Sequence, residues 1–165
     1  MILNFIELKT PESLQIIRDI AAGIWPETFR EILSPEQISY MMEMMYAPAV
    51  MEKEFADGYH FDIVCIDDVQ AGYMVYSAYA PETAKLHKLY LLSRYHGQGI
   101  GSAMLDHVAD QARKLGFKSL LLNVNKHNAK AIKAYERNNF TTAEAVKIDI
   151  GNGFFMDDFV MKKEL

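Results

Sequence analysis

Apolar and polar positions alternate over residues 2–8, ILNFIEL, and predict a short strand. Thr10-Pro11-Glu12 then supplies a cap, a proline for a first turn and an early acid, so a helix is expected to start there. It should run to about Ala22, with Gly23 and Pro26 interrupting it and ETFREIL forming a short second helical piece. Ser34 and Gln37 stand at capping-box spacing ahead of a methionine-rich helix expected to bend or break at Pro48.

From Tyr59 the period changes. HFDIVCI and AGYMVYSAY read as two strands joined at Asp67-Asp68, and LHKLYLL is a third. Ile100, Met104, Leu105, Val108, Ala112 and Leu115 mark the buried stripe of a helix that Gly116 ends. KSLLLNV is more continuously apolar, as for a strand covered on both faces. A helix from about Asn128 to Arg137 and two strands around Gly151-Asn152-Gly153 complete the chain. The order β-α-α-β-β-β-α-β-α-β-β predicts one α/β domain over residues 1–165, with a mixed central sheet flanked by helices.

Composition narrows the function. Half the residues are apolar, enough for a buried core, yet no apolar run approaches the roughly 20 residues needed to span a bilayer. A formal charge of −5 argues against a nucleic-acid partner and is compatible with a cationic one. Cys65 is the single cysteine, which excludes an internal disulfide and a multi-cysteine zinc site. No metal is expected, because the histidines lack ligand spacing; His60, His107 and His127 are expected at the surface. The start, MILNFIELKTPE, has no basic flank and reads as no signal peptide, so the cytoplasm is the expected location.

The candidate chemistry begins at LLSRYHGQGIGSAMLDH, residues 91–107, where Gly97, Gly99 and Gly101 join a strand to a helix. A Walker loop needs a lysine after its last glycine, and Gly101 is followed by Ser102-Ala103. A dinucleotide fingerprint starting at Gly97 would place Ser102 at its last glycine and offers no acid on the next strand. His96-Gly97-Gln98-Gly99-Ile100-Gly101 resembles instead the Gln/Arg-x-x-Gly-x-Gly/Ala loop of the GCN5-related N-acetyltransferase (GNAT) superfamily, with His96 in the Gln/Arg place. A register starting at Arg94 also matches formally. Physically, main-chain N–H groups at a helix start favour an anion, and glycine lets it come close. The resemblance implies the GNAT fold, acetyl-CoA as co-substrate and its diphosphate at Gly97, Gly99, Gly101 and Ser102.

The same superfamily carries Asn-x-x-Ala-x-x-x-Tyr after the following strand, matched here by Asn128, Ala131 and Tyr135 on one helical face. The resemblance implies that Asn128 hydrogen-bonds the pantetheine arm and that Tyr135 sits beside the thioester sulfur. Its usual helix-ending glycine is replaced by Asn139, the next-best residue for a left-handed stop. The resemblance also implies direct attack of a primary amine in a ternary complex, with oxyanion donors from a distorted strand near Leu91. Tyr135 is then the leaving-group partner. His87 is the candidate base, acting directly or through water, and is expected to share a strand face with Leu89 and Leu91.

The stretch IWPETFREILSPEQISYMM and the ending FFMDDFVMKKEL resemble, more loosely, the PaiA-type polyamine acetyltransferases. That implies a small-molecule amine acceptor such as spermidine or spermine. Trp25, Phe29 and Tyr40 are candidates for an apolar acceptor slot, and Glu27, Glu31, Asp157 or Asp158 for holding an ammonium. Met41, Met42, Met44, Met45 and Met51 suit helix packing, an acceptor groove or a dimer face, so a homodimer stays open. Acetylation of peptide or protein α-amines, and a silent CoA-binding regulatory module, remain as alternatives.

Overall fold

In the computed structural model, which describes residues 1–165, all seven strands join one sheet in the order β1-β2-β3-β4-β5-β7-β6. The strands are β1 (Leu3–Glu7), β2 (His60–Ile66), β3 (Val69–Ala80), β4 (Thr83–Leu91), β5 (Ser119–Asn125), β6 (Thr141–Gly151) and β7 (Phe154–Glu164). Only β4 and β5 are parallel, so the sheet is mixed. Helices α1 (Gln15–Phe29), α2 (Pro35–Tyr46) and α3 (Pro48–Ala56) cover one face. Helices α4 (Ile100–Lys114) and α5 (Ala129–Arg137) lie on the other. No helix is long and apolar enough to cross a membrane.

The local signals act much as their chemistry dictates. Thr10 Oγ1 accepts from Ser13 N at 3.3 Å, capping a 3-10 turn that leads into α1. Ser34 Oγ caps α2 through Gln37 N at 3.1 Å. The Gln37 side chain does not complete the box; it donates to the Phe155 carbonyl at 2.7 Å, joining α2 to the β6–β7 hairpin. Pro48 sits where the chain breaks between α2 and α3. Asn139 takes φ 69°, the left-handed stop expected of it.

The expected interruption of the first helix does not occur. α1 runs through Gly23 and Pro26 to Phe29, and EIL beyond it is not helical. Proline is well tolerated only in the first turn of a helix, and Pro26 stands in the last turn of α1. Here Ile24, Trp25 and Phe29 are buried on both sides of it, so tertiary packing holds the last turn.

Candidate active site

The site originates where two strands part. β4 and β5 pair only from Thr83–Ser119 to Leu86–Leu122. Beyond that point β4 continues to Leu91 against β3 alone, and β5 to Asn125 against β7 alone. The parting coincides with a bulge: Tyr76 faces Leu86 and Val75 faces Lys88, leaving His87 as the extra residue.

The bulge overturns one expectation. Leu89 and Leu91 pack toward α4, whereas His87 faces the opposite side with Trp25 and Phe29. A regular strand would put all three together; one inserted residue shifts the alternation. The distortion of β4 therefore lies at His87, upstream of Leu91, and residues 87–91 carry main-chain groups with no β5 partner.

On the α4–α5 side the gap opens into a groove of about 720 Å³. Leu91, His96, Gly97, Gly99, Gly101, Ser102, Asn128 and Tyr135 all line it. Gly99 caps α4 with φ 79° and Gly97 has φ 75°, so both need the left-handed region. Gly101 is helical and a methyl group added there would meet nothing within 4 Å. Alanine would fit there as well, in keeping with the Gly/Ala alternative at this place of the loop signature. The residues fit a diphosphate carrier: a loop with glycine at alternate positions, 97, 99 and 101, at the N-terminal end of a 15-residue helix.

His96 Nε2 donates to the Leu91 carbonyl at 2.9 Å, and the Lys130 ammonium lies 3.2 Å from Nδ1. This residue consequently braces the glycine loop between β4 and α5. Asn128 Oδ1 accepts from Ala131 N at 3.3 Å, committing the oxygen to the α5 cap and leaving the amide NH₂ for the groove. Tyr135 packs edge-on to Phe140, and burial pushes its phenol up to about 12.

On the α1–α3 side lies a smaller cavity of about 70 Å³. Trp25, Phe29, Leu33, Met41, Met45 and Met156 make it apolar, and His87, Asn123, Asn125, Gln37 and Asp158 supply the polar atoms. Asp158 is 4 % exposed, and burial raises its carboxyl above the usual range. His87 is pushed down to about 4, first by burial and then by Lys85 and Lys88. Tyr40 donates to the Ile150 carbonyl at 2.6 Å, so α2 and the β6–β7 hairpin close over this side. Tyr90 and Asn123 line both spaces and mark where they meet.

Residues 17–140 match the model of the acetyltransferase (GNAT) family. The chain belongs to the GNAT family. Like other members it is an acetyl-CoA-dependent N-acetyltransferase. An uncharacterised N-acetyltransferase of Mycobacterium bovis is 26% identical over 147 residues, covering 88% of this chain and 94% of that protein. The fold matches the crystal structure of PaiA N-acetyltransferase from Thermoplasma acidophilum in complex with coenzyme A, with TM-score 0.83, 23% identity and full coverage of both chains. It also matches the ribosomal-protein-S18-alanine N-acetyltransferase from Escherichia coli, with TM-score 0.73 and 19% identity over 99% of this chain and 94% of that one.

The acetyltransferase brings most of the sequence-selected residues into these two spaces, with exceptions. Glu27, expected beside the acceptor with Trp25 and Phe29, lines the larger groove instead, because it lies on another face of α1. Asp157 is half-buried and pairs with Lys126 at 2.9 Å, and of the acids named only its neighbour Asp158 enters the small cavity. His107 is not a free surface residue: Nε2 lies 2.7 Å from Asp62 Oδ2, and its ring stacks on Phe5. It adjoins the stripe of Met104 and Val108, so α4 carries it onto the sheet. Ser77, Tyr59, Tyr90 and Asn123 were not foreseen. Asn123 and Asn125 did leave a trace, as polar residues interrupting an apolar strand.

Proposed function

We propose that this acetyltransferase acts on the primary amine of a small molecule, with the donor in the large groove and the amine in the small cavity. The carrying observation is that two chemically different spaces approach one strand gap from opposite faces and share Tyr90 and Asn123. Leu91 and the loop from His96 to Ser102 would hold the donor's diphosphate and upper arm, and Asn128 the pantetheine amides. Bound acetyl-CoA supplies a thioester carbonyl. The amine nitrogen forms a bond to that carbon, the carbon–sulfur bond breaks, the sulfur leaves with the electron pair, and the proton that the nitrogen sheds in becoming an amide goes to solvent.

Tyr135 then hydrogen-bonds the departing sulfur. A phenol near 12 facing a thiol of about 8.5 makes full proton transfer uphill by roughly 5 kcal/mol, so its work is stabilisation of the thiolate. His87 is limited in the opposite sense. Moving a proton from an ammonium of about 10 to an imidazole near 4 costs roughly 8 kcal/mol. His87 therefore accepts a hydrogen bond from an amine that has already lost its proton to water. Asp158 gathers and orients the amine head.

For the acceptor we propose a polyamine such as spermidine or spermine, entering by one terminal aminoalkyl end. The fold likeness to PaiA supports this, as do an apolar slot for methylenes and a carboxylate for the head group. A peptide α-amine is the second reading, from the likeness to the S18-alanine enzyme. The closure by Gln37–Phe155 and Tyr40–Ile150 weighs against it, since a peptide needs an open groove there. A thiol-release assay with acetyl-CoA against polyamines, amino acids and peptides separates them. Release with spermidine is expected. Release only with peptides would overturn the polyamine reading, and none at all, despite coenzyme binding, would leave a CoA-binding module.

A further inference from the structure

The bulged residue His87 is held more tightly than its own strand requires. Its ring stacks on Tyr59 at 4.7 Å between centroids, with 13° between planes. Its Nε2 lies 2.8 Å from Ser77 Oγ, and the same hydroxyl lies 3.0 Å from the Ala78 carbonyl. A serine hydroxyl has one proton, and a carbonyl can only accept. When that proton goes to Ala78, Ser77 Oγ is left as an acceptor, and Nε2 must carry the ring proton. The second nitrogen, Nδ1, then bears the lone pair. It makes no hydrogen bond within the protein and is not sealed off from solvent.

We infer that Ser77 is a positioning residue of the transfer reaction: it selects the Nε2–H tautomer of His87 and so presents Nδ1 as the acceptor for the incoming amine's N–H. The inference rests on the reading of the small cavity as the amine site. The chain of bonds runs amine N–H to Nδ1, Nε2–H to Ser77 Oγ, and Ser77 O–H to the Ala78 carbonyl. Each donor in it has one acceptor. The opposite tautomer would point an N–H at the amine nitrogen and occupy the lone pair that must attack. Tyr59 fixes the remaining freedom, rotation of the ring out of the cavity wall.

The test has two arms. In the first, nitrogen NMR of the histidine-labelled protein reads the tautomer without any substrate, the His87 signals being identified by their loss in His87→Gln. The expected result is a protonated Nε2 and a bare Nδ1, shifting to a mixture in Ser77→Ala and retained in Ser77→Thr. A wild-type ring protonated on Nδ1 overturns the inference. In the second, kcat with an amine the wild type accepts should fall roughly tenfold in Ser77→Ala, about the worth of one hydrogen bond. KM for acetyl-CoA should stay within about twofold, and Ser77→Thr should recover kcat. A changed tautomer with unchanged kcat overturns the positioning role. Absence of turnover with every amine in the wild type overturns the amine-site reading instead, while the first arm still decides the tautomer.

Discussion

His87 and Lys88 are consecutive in the chain, yet both side chains project from the same face of the sheet. His87 turns into the small cavity, and Lys88 reaches the Met45 carbonyl at 2.9 Å and stands 4.2 Å over the Tyr46 ring. A regular strand forbids this; the bulge between Tyr76–Leu86 and Val75–Lys88 permits it. One inserted residue thus sets a polar ring beside the strand gap and buries a cation behind it.

The buried cation makes stability depend on pH. Lys88 is 4 % exposed and its ammonium is pushed down to about 8 by burial, with Glu54 at 3.9 Å opposing the fall. Between about 8 and the usual 10.5 the unfolded chain binds more protons than the folded one, so stability rises with pH across that window. The rise should approach ~3 kcal/mol and vanish in Lys88→Met. Urea unfolding at pH 7.5, 9 and 10 checks it; a wild-type curve parallel to the variant's would contradict it.

Gly101→Ala should stabilise the fold and leave coenzyme binding close to unchanged, since alanine is an accepted residue at this place of the loop signature. A methyl group there meets no protein atom, and alanine in a helix is worth about 0.5–1 kcal/mol over glycine. The melting temperature should hold or rise while the Kd for coenzyme A by calorimetry stays within ~twofold; a loss of ~tenfold or more, about one good hydrogen bond, would contradict it. Gly72→Ala is the opposite case. Its Cβ would lie 2.5 Å from the Tyr90 carbonyl, so overpacking of about 1–3 kcal/mol should appear as lost stability.

Tyr135→Phe should lower kcat by roughly 10- to 100-fold and leave the coenzyme Kd within about twofold, since a transition-state hydrogen bond is removed and the ring is kept. Equal effects on both constants would assign Tyr135 to binding alone.

Asp158→Asn should raise the amine KM by at least ~tenfold with little change in KM for acetyl-CoA, because the only carboxylate of the small cavity is neutralised. Steady-state kinetics with each substrate varied in turn decides this.

The dependence of turnover on pH should follow the amine and not the imidazole. With His87 near 4, no histidine inflection from that residue is expected between pH 6 and 9; log kcat/KM should climb with unit slope toward the acceptor's own pKa. Two acceptors of different basicity should give two displaced profiles. A shared inflection near 6.5 that disappears in His87→Ala would refute it.

The groove proposed for the donor was legible in the sequence because its signals are local. Glycine spacing, the Asn128–Tyr135 helix face and the left-handed Asn139 all depend on neighbours within a few residues. The acceptor side was not. A bulge is a relation between two strands, so nothing in LHKLYLL alone announces that His87 departs from the face of Leu89 and Leu91. Likewise Glu27 and Trp25 are two residues apart, and which cavity each meets depends on how α1 is rotated against the sheet. Pro26 misleads for the same reason, since buried neighbours from other elements hold its helix together.

With the donor and the amine placed as proposed, the early parting of β4 from β5 lets each meet the other from its own face of the sheet. Neither has to pass through the other's binding region to reach Tyr90 and Asn123. Initial-velocity lines should therefore intersect instead of running parallel, and either molecule should be able to arrive first.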